Sequence, residues 1–208
     1  MRNSATKISA IILGLYAGAL GSLHGVFEIL QGNAVAEGIT IQAIGAGCQA
    51  DQIWHACLPA MTIIPQIKLS GILALIFSLL LLFWSLLWIR QARAWMMMSA
   101  LLLIMLLTGA GFVPVYTGLM GMFAAVVMHT ERSFFPQFPR LSAVISRLRP
   151  WILAAFFIWA LGSWPAGAMF NGFMLRFSLW IFLICDIGLP FLVLISGMAR
   201  DDANHVQS

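Results

Sequence analysis

Charge is what this sequence has least of. Only 9% of its 208 residues are Asp, Glu, Lys or Arg. A water-soluble domain carries about 25%. With hydrophobic types at 62% and a mean hydropathy of +0.97, the chain cannot cover a water-facing surface. A soluble enzyme, a disordered linker and a nucleic-acid module are excluded as the main body. Three cysteines are too few for a disulfide scaffold.

Signature motifs are missing as well. There is no G-x-x-x-x-G-K-[ST] phosphate loop, no H-E-x-x-H and no G-x-S-x-G. No C-x-x-C pair marks a thiol redox centre. The four histidines are scattered, so no axial haem pair is expected. Lys7 and Lys68 lie near span ends, which argues against a retinal lysine. No cofactor is therefore expected. Basic residues exceed acidic ones, 11 to 7, but they flank apolar runs. They read as topology determinants and contacts to membrane lipids, not to nucleic acid.

What is present is a series of apolar runs. A bilayer core of about 30 Å takes roughly 20 helical residues. The expected architecture is an all-α, polytopic membrane helix bundle forming one domain over 1–208. Its spans are placed at 8–30, 69–89, 95–110, 115–129, 151–170 and 173–198. The third and fourth come from one apolar stretch, Trp95 to His129, which as a single helix would be about 52 Å long. Its middle, Gly109-Ala-Gly-Phe-Val-Pro-Val-Tyr-Thr-Gly118, is rich in helix breakers. It is read as a tight hairpin, with a re-entrant pair as the other possibility.

Charge decides between six spans and the runner-up of five. Six spans with both termini cytoplasmic put Arg2, Lys7, Arg90, Arg93, Arg132, Arg140, Arg147, Arg149 and Arg200 inside. Only Lys68 and Arg176 are then outside. Five spans spread the basic residues almost evenly, against the positive-inside rule. The expected location is a cell membrane, a bacterial inner membrane or its equivalent. The N-terminus also resembles a secretory signal, with Ala17-Gly-Ala19 as a cleavage site, but the apolar run continues to Leu30 and is read as a span. Residues 140–149, with Leu141, Val144, Ile145 and Leu148 at helical spacing beside three arginines, are read as a cytoplasmic interfacial helix.

Loop 31–66 is placed on the non-cytoplasmic side. It is punctuated by Ile39, Ile41, Trp54, Met61 and Ile63, so it is expected to fold back as a cap over the bundle. Cys48 and Cys57 within it are read as a disulfide. A metal site from Cys48, Asp51, His55 and Cys57 is the weaker reading, because C-x6-H-x-C matches no standard zinc spacing. Cys185, in the last span, reads as a packing residue.

Ionisable groups in lipid are costly and mark candidate sites. His24 and Glu28 stand one turn apart on the first span and share a face. Asp186 falls within the last span, and Arg176 near its outer end. Gly14, Gly18, Gly21 and Gly25 cluster within roughly 60° of one line on the first helix. That is a small-residue seam, for packing within the chain or against a membrane partner or second copy. Glu28 lies on the same side. His24, Glu28, Asp186 and Arg176 are thus candidates for a polar pocket or proton path. The bland reading is a helix–helix hydrogen-bond network, with Asp186 bonded to Arg176 or a backbone donor.

Three functions follow. The first is a small transporter or channel with a polar pocket open to the outer side. The second is a non-catalytic accessory or assembly subunit. The third is an intramembrane enzyme on a lipid-borne substrate, with His24 and Glu28 as acid and base. Enzymatic activity is the least favoured, and catalytic residues are not identifiable.

Overall fold

In a computed structural model of the chain, residues 4–42, 54, 58–130, 135 and 137–206 are described. Helix α1 is Ser4–Leu30. A two-stranded antiparallel ribbon follows, β1 Thr40–Gln42 against β2 Pro59–Met61, pairing Ile41 with Ala60. Then come α2 Ile67–Leu87, α3 Ala94–Leu107, α4 Phe112–Val127, α5 Pro139–Met169 and the short α6 Asn171–Arg176 and α7 Ser178–Ile181. A π-helical turn Phe182–Gly188 and α8 Leu189–Val206 complete the chain. Apart from the ribbon and two isolated bridges, the regular structure of the described residues is helical. Four segments are long and apolar enough to cross a membrane: Ser4–Leu30, Ile67–Leu87, Pro139–Met169 and Ser178–Asn204. Ala94–Leu107 and Phe112–Val127 are apolar but shorter.

The glycine seam organises the bundle. A Cβ on Gly18 would meet the Ser78 carbonyl oxygen and the Leu82 amide. One on Gly25 would meet Leu75 and Gly71 backbone atoms. Residue numbers rise along α1 as they fall along α2, so the helices run antiparallel with backbones in contact. The face from Gly14 to Gly25 is thus filled by α2 of the same chain. Helix α2 answers with its own small residues, Gly71, Ala74, Ser78 and Ser85, all buried. Met98 and Met105 fill the space left beside Gly14 and Gly21, as flexible thioethers do in irregular gaps. Lipid offers no hydrophobic drive between helices, so this close approach is what holds α1 to α2.

Helix α1 is also packed by α4 and α8. The core joins Leu13, Ala17, Leu81, Met98, Leu102, Met105, Phe156 and Val193. Trp151, Ile158 and Leu161 on α5 and Leu179 and Trp180 on α7 stay exposed, a surface suited to lipid.

Two helices depart from expectation. Residues 140–149 do not form a separate surface helix. They are the start of α5, which runs unbroken through Pro150 and Pro165. Proline removes one N–H each time, a loss that membrane helices absorb. The last span contains a π-helical turn. Pro190 has no N–H for the Asp186 carbonyl four residues back, and the Leu189 N–H reaches five residues back to Ile184.

The N-terminus of α1 is closed by the other end of the chain. Asp201 on α8 accepts hydrogen bonds from the Ala5 and Thr6 amides at 3.0 and 2.8 Å. Both amides belong to the first described turn of α1. Beside them Arg149 donates through Nη1 to Ser9 Oγ (3.1 Å) and Ser196 Oγ (3.3 Å), and through Nη2 to the Ala5 carbonyl (2.9 Å).

Candidate functional site

The sequence places an acid and a histidine one turn apart at the far end of α1, and the α3–α4 turn lies on top of them. Helix α3 ends at Leu107 and α4 begins at Phe112. Between them Gly109 and Gly111 take φ of +90° and +87°, a region that side-chain-bearing residues rarely enter. A Cβ on Gly109 would strike the Glu28 carboxyl, and one on Gly111 would strike the His24 ring. Glycine is therefore required twice over, by backbone conformation and by space. Glu28 is fully buried and His24 nearly so.

A lid seals this end. The Gly109 amide donates to the Met61 carbonyl at 2.9 Å, and the Ile63 amide to Leu107 at 3.0 Å. Thr62 and Thr108 form an isolated antiparallel bridge. The Ser70 hydroxyl is within reach of Thr62 Oγ1 at 2.7 Å and the Thr108 carbonyl at 3.0 Å. The Ala36 amide donates to Pro65 at 2.7 Å, and that of Thr62 to Ile39 at 2.9 Å. Farther round the rim, the Trp54 amide donates to Asn171 Oδ1 at 2.8 Å, and the Trp54 ring packs on Gly167. The described part of loop 31–66 thus lies across the end of the bundle and is tied to the α3–α4 turn by main-chain bonds.

Beneath this lid neither Glu28 carboxyl oxygen has a hydrogen-bond partner among the described residues. Ser70 is the neighbouring hydroxyl, but its one proton has Thr62 and the Thr108 carbonyl as competing acceptors. A buried polar group without a partner is costly, and more so in a membrane. The arrangement holds a carboxyl and an imidazole in a buried compartment, closed by a turn whose glycines place no side chain above either group.

The other two candidates are elsewhere. Asp186 accepts a hydrogen bond from the Trp159 indole N–H at 2.8 Å and neighbours Tyr16. Tyr16 lies twelve residues before Glu28 on α1, about 18 Å along the axis. The acids therefore occupy separate levels of the bundle. Arg176 is not the partner of Asp186. Its guanidinium carbon stands 5.8 Å from the centre of the Phe177 ring at the surface. Cys48, Asp51, His55 and Cys57, and with them the disulfide and metal readings, lie outside the described residues. Among the described residues, no group of three His, Cys, Asp or Glu side chains could hold a metal ion.

Sequence reasoning missed Trp159 as the Asp186 donor, the Ser70–Thr62–Thr108 layer of the lid, and the cluster around Arg149 and Asp201. None of the three left a local pattern, because each joins residues far apart in the chain.

No protein-family model matches the chain, and no curated protein or solved structure is similar to it.

Proposed function

We propose that this chain is a small multi-pass transport protein of the cell membrane, with an occluded site at Glu28 and His24. The carrying observation is the Glu28 carboxyl, wholly buried, with the contested Ser70 hydroxyl as its one neighbouring donor among the described residues, under a turn of two positive-φ glycines. Such a group is expensive to keep in a membrane protein unless it is used. A carboxyl beside an imidazole suits carriage of a proton or a small cation. The lid of residues 59–66 and the α3–α4 turn is the gate. Opening it exposes Glu28 to the side on which loop 31–66 lies.

The reading includes six crossings, with α3 and α4 as short arms, and both termini cytoplasmic in a bacterial inner membrane or its equivalent. The hydrogen bonds between Asp201 and the start of α1 put the two chain ends together, which supports an even number of crossings. The excess of arginine at that end supports its cytoplasmic placement.

The test is flux in proteoliposomes under an imposed pH gradient. Wild type dissipates the gradient, and Glu28→Gln loses at least tenfold of that rate while remaining monodisperse. A folded Glu28→Gln protein with wild-type flux, or a wild type that carries neither protons nor cations, removes the reading.

The separation of Asp186 from Glu28 favours a second reading, a non-catalytic accessory or assembly subunit. Since α2 covers the glycine face, a partner would meet the exposed face of α5 and α7. A stoichiometric membrane partner retained through mild solubilisation would favour this reading over the first.

A further inference from the structure

At the opposite end from the lid, α5 and α8 leave a cleft of about 340 Å³ lined by Ser146, Arg147, Arg149, Pro150, Leu153 and Arg200. We infer that this cleft binds the phosphate of an anionic phospholipid from the adjoining leaflet, independently of whether Glu28 transports anything.

Three arginines and, among the described residues, no acid line it. The nearby acids are directed to main-chain donors: Asp201 to Ala5 and Thr6, and Asp202 Oδ2 to the Phe135 amide at 2.8 Å. Arg149 is only 8% exposed. Its hydrogen bonds go to the neutral oxygens of Ser9, Ser196 and Ala5. Those use three of the five N–H groups of a guanidinium and leave two. The hydrogen-bond acceptors of Arg149 are neutral; the Asp201 carboxylate is near enough to act on its charge but spends its own hydrogen bonds on the α1 amides. Arg147 and Arg200 are exposed at the rim, and Arg200 Nη1 reaches Ser146 Oγ at 3.4 Å. Pro150 has no N–H to offer the Ser146 carbonyl, which is left without its usual helical donor beside the cleft. A buried guanidinium flanked by two exposed ones suits a phosphodiester, which accepts several charge-assisted bonds at once.

The apolar side of the cleft identifies the rest of the ligand. Ser146, Pro150 and Leu153 follow one stripe of α5, and Phe157, one turn on, is 45% exposed. That stripe leads from the arginines toward the middle of the span. A free phosphate has no use for it, whereas an acyl chain does. Basic pockets between spans near a membrane surface have this lipid chemistry.

The experiment uses the full-length protein, stripped of lipid in neutral detergent, with thermal unfolding as readout. Phosphatidylglycerol, phosphatidylcholine and inorganic phosphate are titrated separately. Phosphatidylglycerol is expected to raise the midpoint saturably, with the other two giving little. The double variant Arg147→Gln/Arg200→Gln removes two exposed charges and one long hydrogen bond to Ser146, and leaves the buried Arg149 cluster intact, so it should fold. It should weaken the apparent phosphatidylglycerol affinity roughly 10- to 30-fold. The control Arg90→Gln/Arg93→Gln removes the same charge from the α2–α3 connection and should change it less than about threefold. Equal loss in both double variants would reduce the effect to general surface charge and overturn the site. Equal stabilisation by phosphatidylcholine would also overturn it. Protection by inorganic phosphate without protection by phosphatidylglycerol would overturn the lipid assignment.

Discussion

Replacing Gly109 by alanine separates two costs that the structure superimposes. At φ +90° a side-chain-bearing residue is strained, which costs about 1–3 kcal/mol. The new methyl also collides with the Glu28 carboxyl, and overpacking of this kind costs about 1–3 kcal/mol more. Gly109→Ala should therefore destabilise by roughly 2–6 kcal/mol, a large share of the 5–15 kcal/mol typical of a folded chain. Gly32 supplies the strain alone, since it has φ +73° with open space around its Cβ position. Gly32→Ala should cost only about 1–3 kcal/mol. The decisive measurement is a double-mutant cycle with Glu28→Ala, read as reversible unfolding in mixed micelles. Removing the carboxyl removes the collision but leaves the strain. The double variant should then be more stable than the sum of the single losses by about 1–3 kcal/mol. Additivity within about 0.5 kcal/mol would show that the turn does not rest on Glu28, and the closed site would fail with it.

Two further outcomes follow from the buried polar bonds. Asp201→Ala leaves two buried amides of α1 without an acceptor, so it should cost roughly 2–4 kcal/mol by the same unfolding assay. Asp201→Asn, which keeps an acceptor, should recover part of this, and an unaffected alanine variant would contradict the cap. Trp159→Phe removes the donor to Asp186 and should cost about 1–3 kcal/mol. Adding Asp186→Leu should lessen that loss, because no orphaned acceptor remains. A double variant less stable than Trp159→Phe would show that Asp186 has a stabilising role beyond this bond.

Much of the helical architecture is legible in the residues because lipid makes local demands. A spanning segment must be apolar along its whole length, so the long helices announce themselves. The break near Gly109 is visible because glycine and proline crowd there. The glycine seam is visible because four glycines share one side of one helix. What the seam packs against is not legible. The matching residues Gly71, Ser78 and Ser85 sit among leucines, and small residues mark a contact without naming its partner. The end of a helix is also poorly marked at proline. Pro150 suggests a boundary, yet the chain passes through it in one helix, since a single lost bond is tolerable within a long span. Arg149 was the hardest to place. Its neighbours along the chain make it one more positive charge near a membrane surface. Its three acceptors come from α1 and α8, 47 to 144 residues away.

For the candidate site, Glu28 and His24 stand out by type and spacing, and their burial follows from the seam. The lid over them depends on long-range pairing of Thr62 with Thr108, which no local pattern encodes. Asp186 stands out as well, but its distance from Glu28 is a property of how α8 packs, not of its own segment.

The bond between Asp201 and the first turn of α1 also sets an order of events during biogenesis. Ribosomes deliver α1 before α8, and the carboxylate that completes α1 comes 195 positions after Thr6. Until the final helix emerges from the insertion machinery, the opening helix waits with its amide ends unsatisfied. Chains cut before position 201 would lack the acceptor that these two amides of the first helix use.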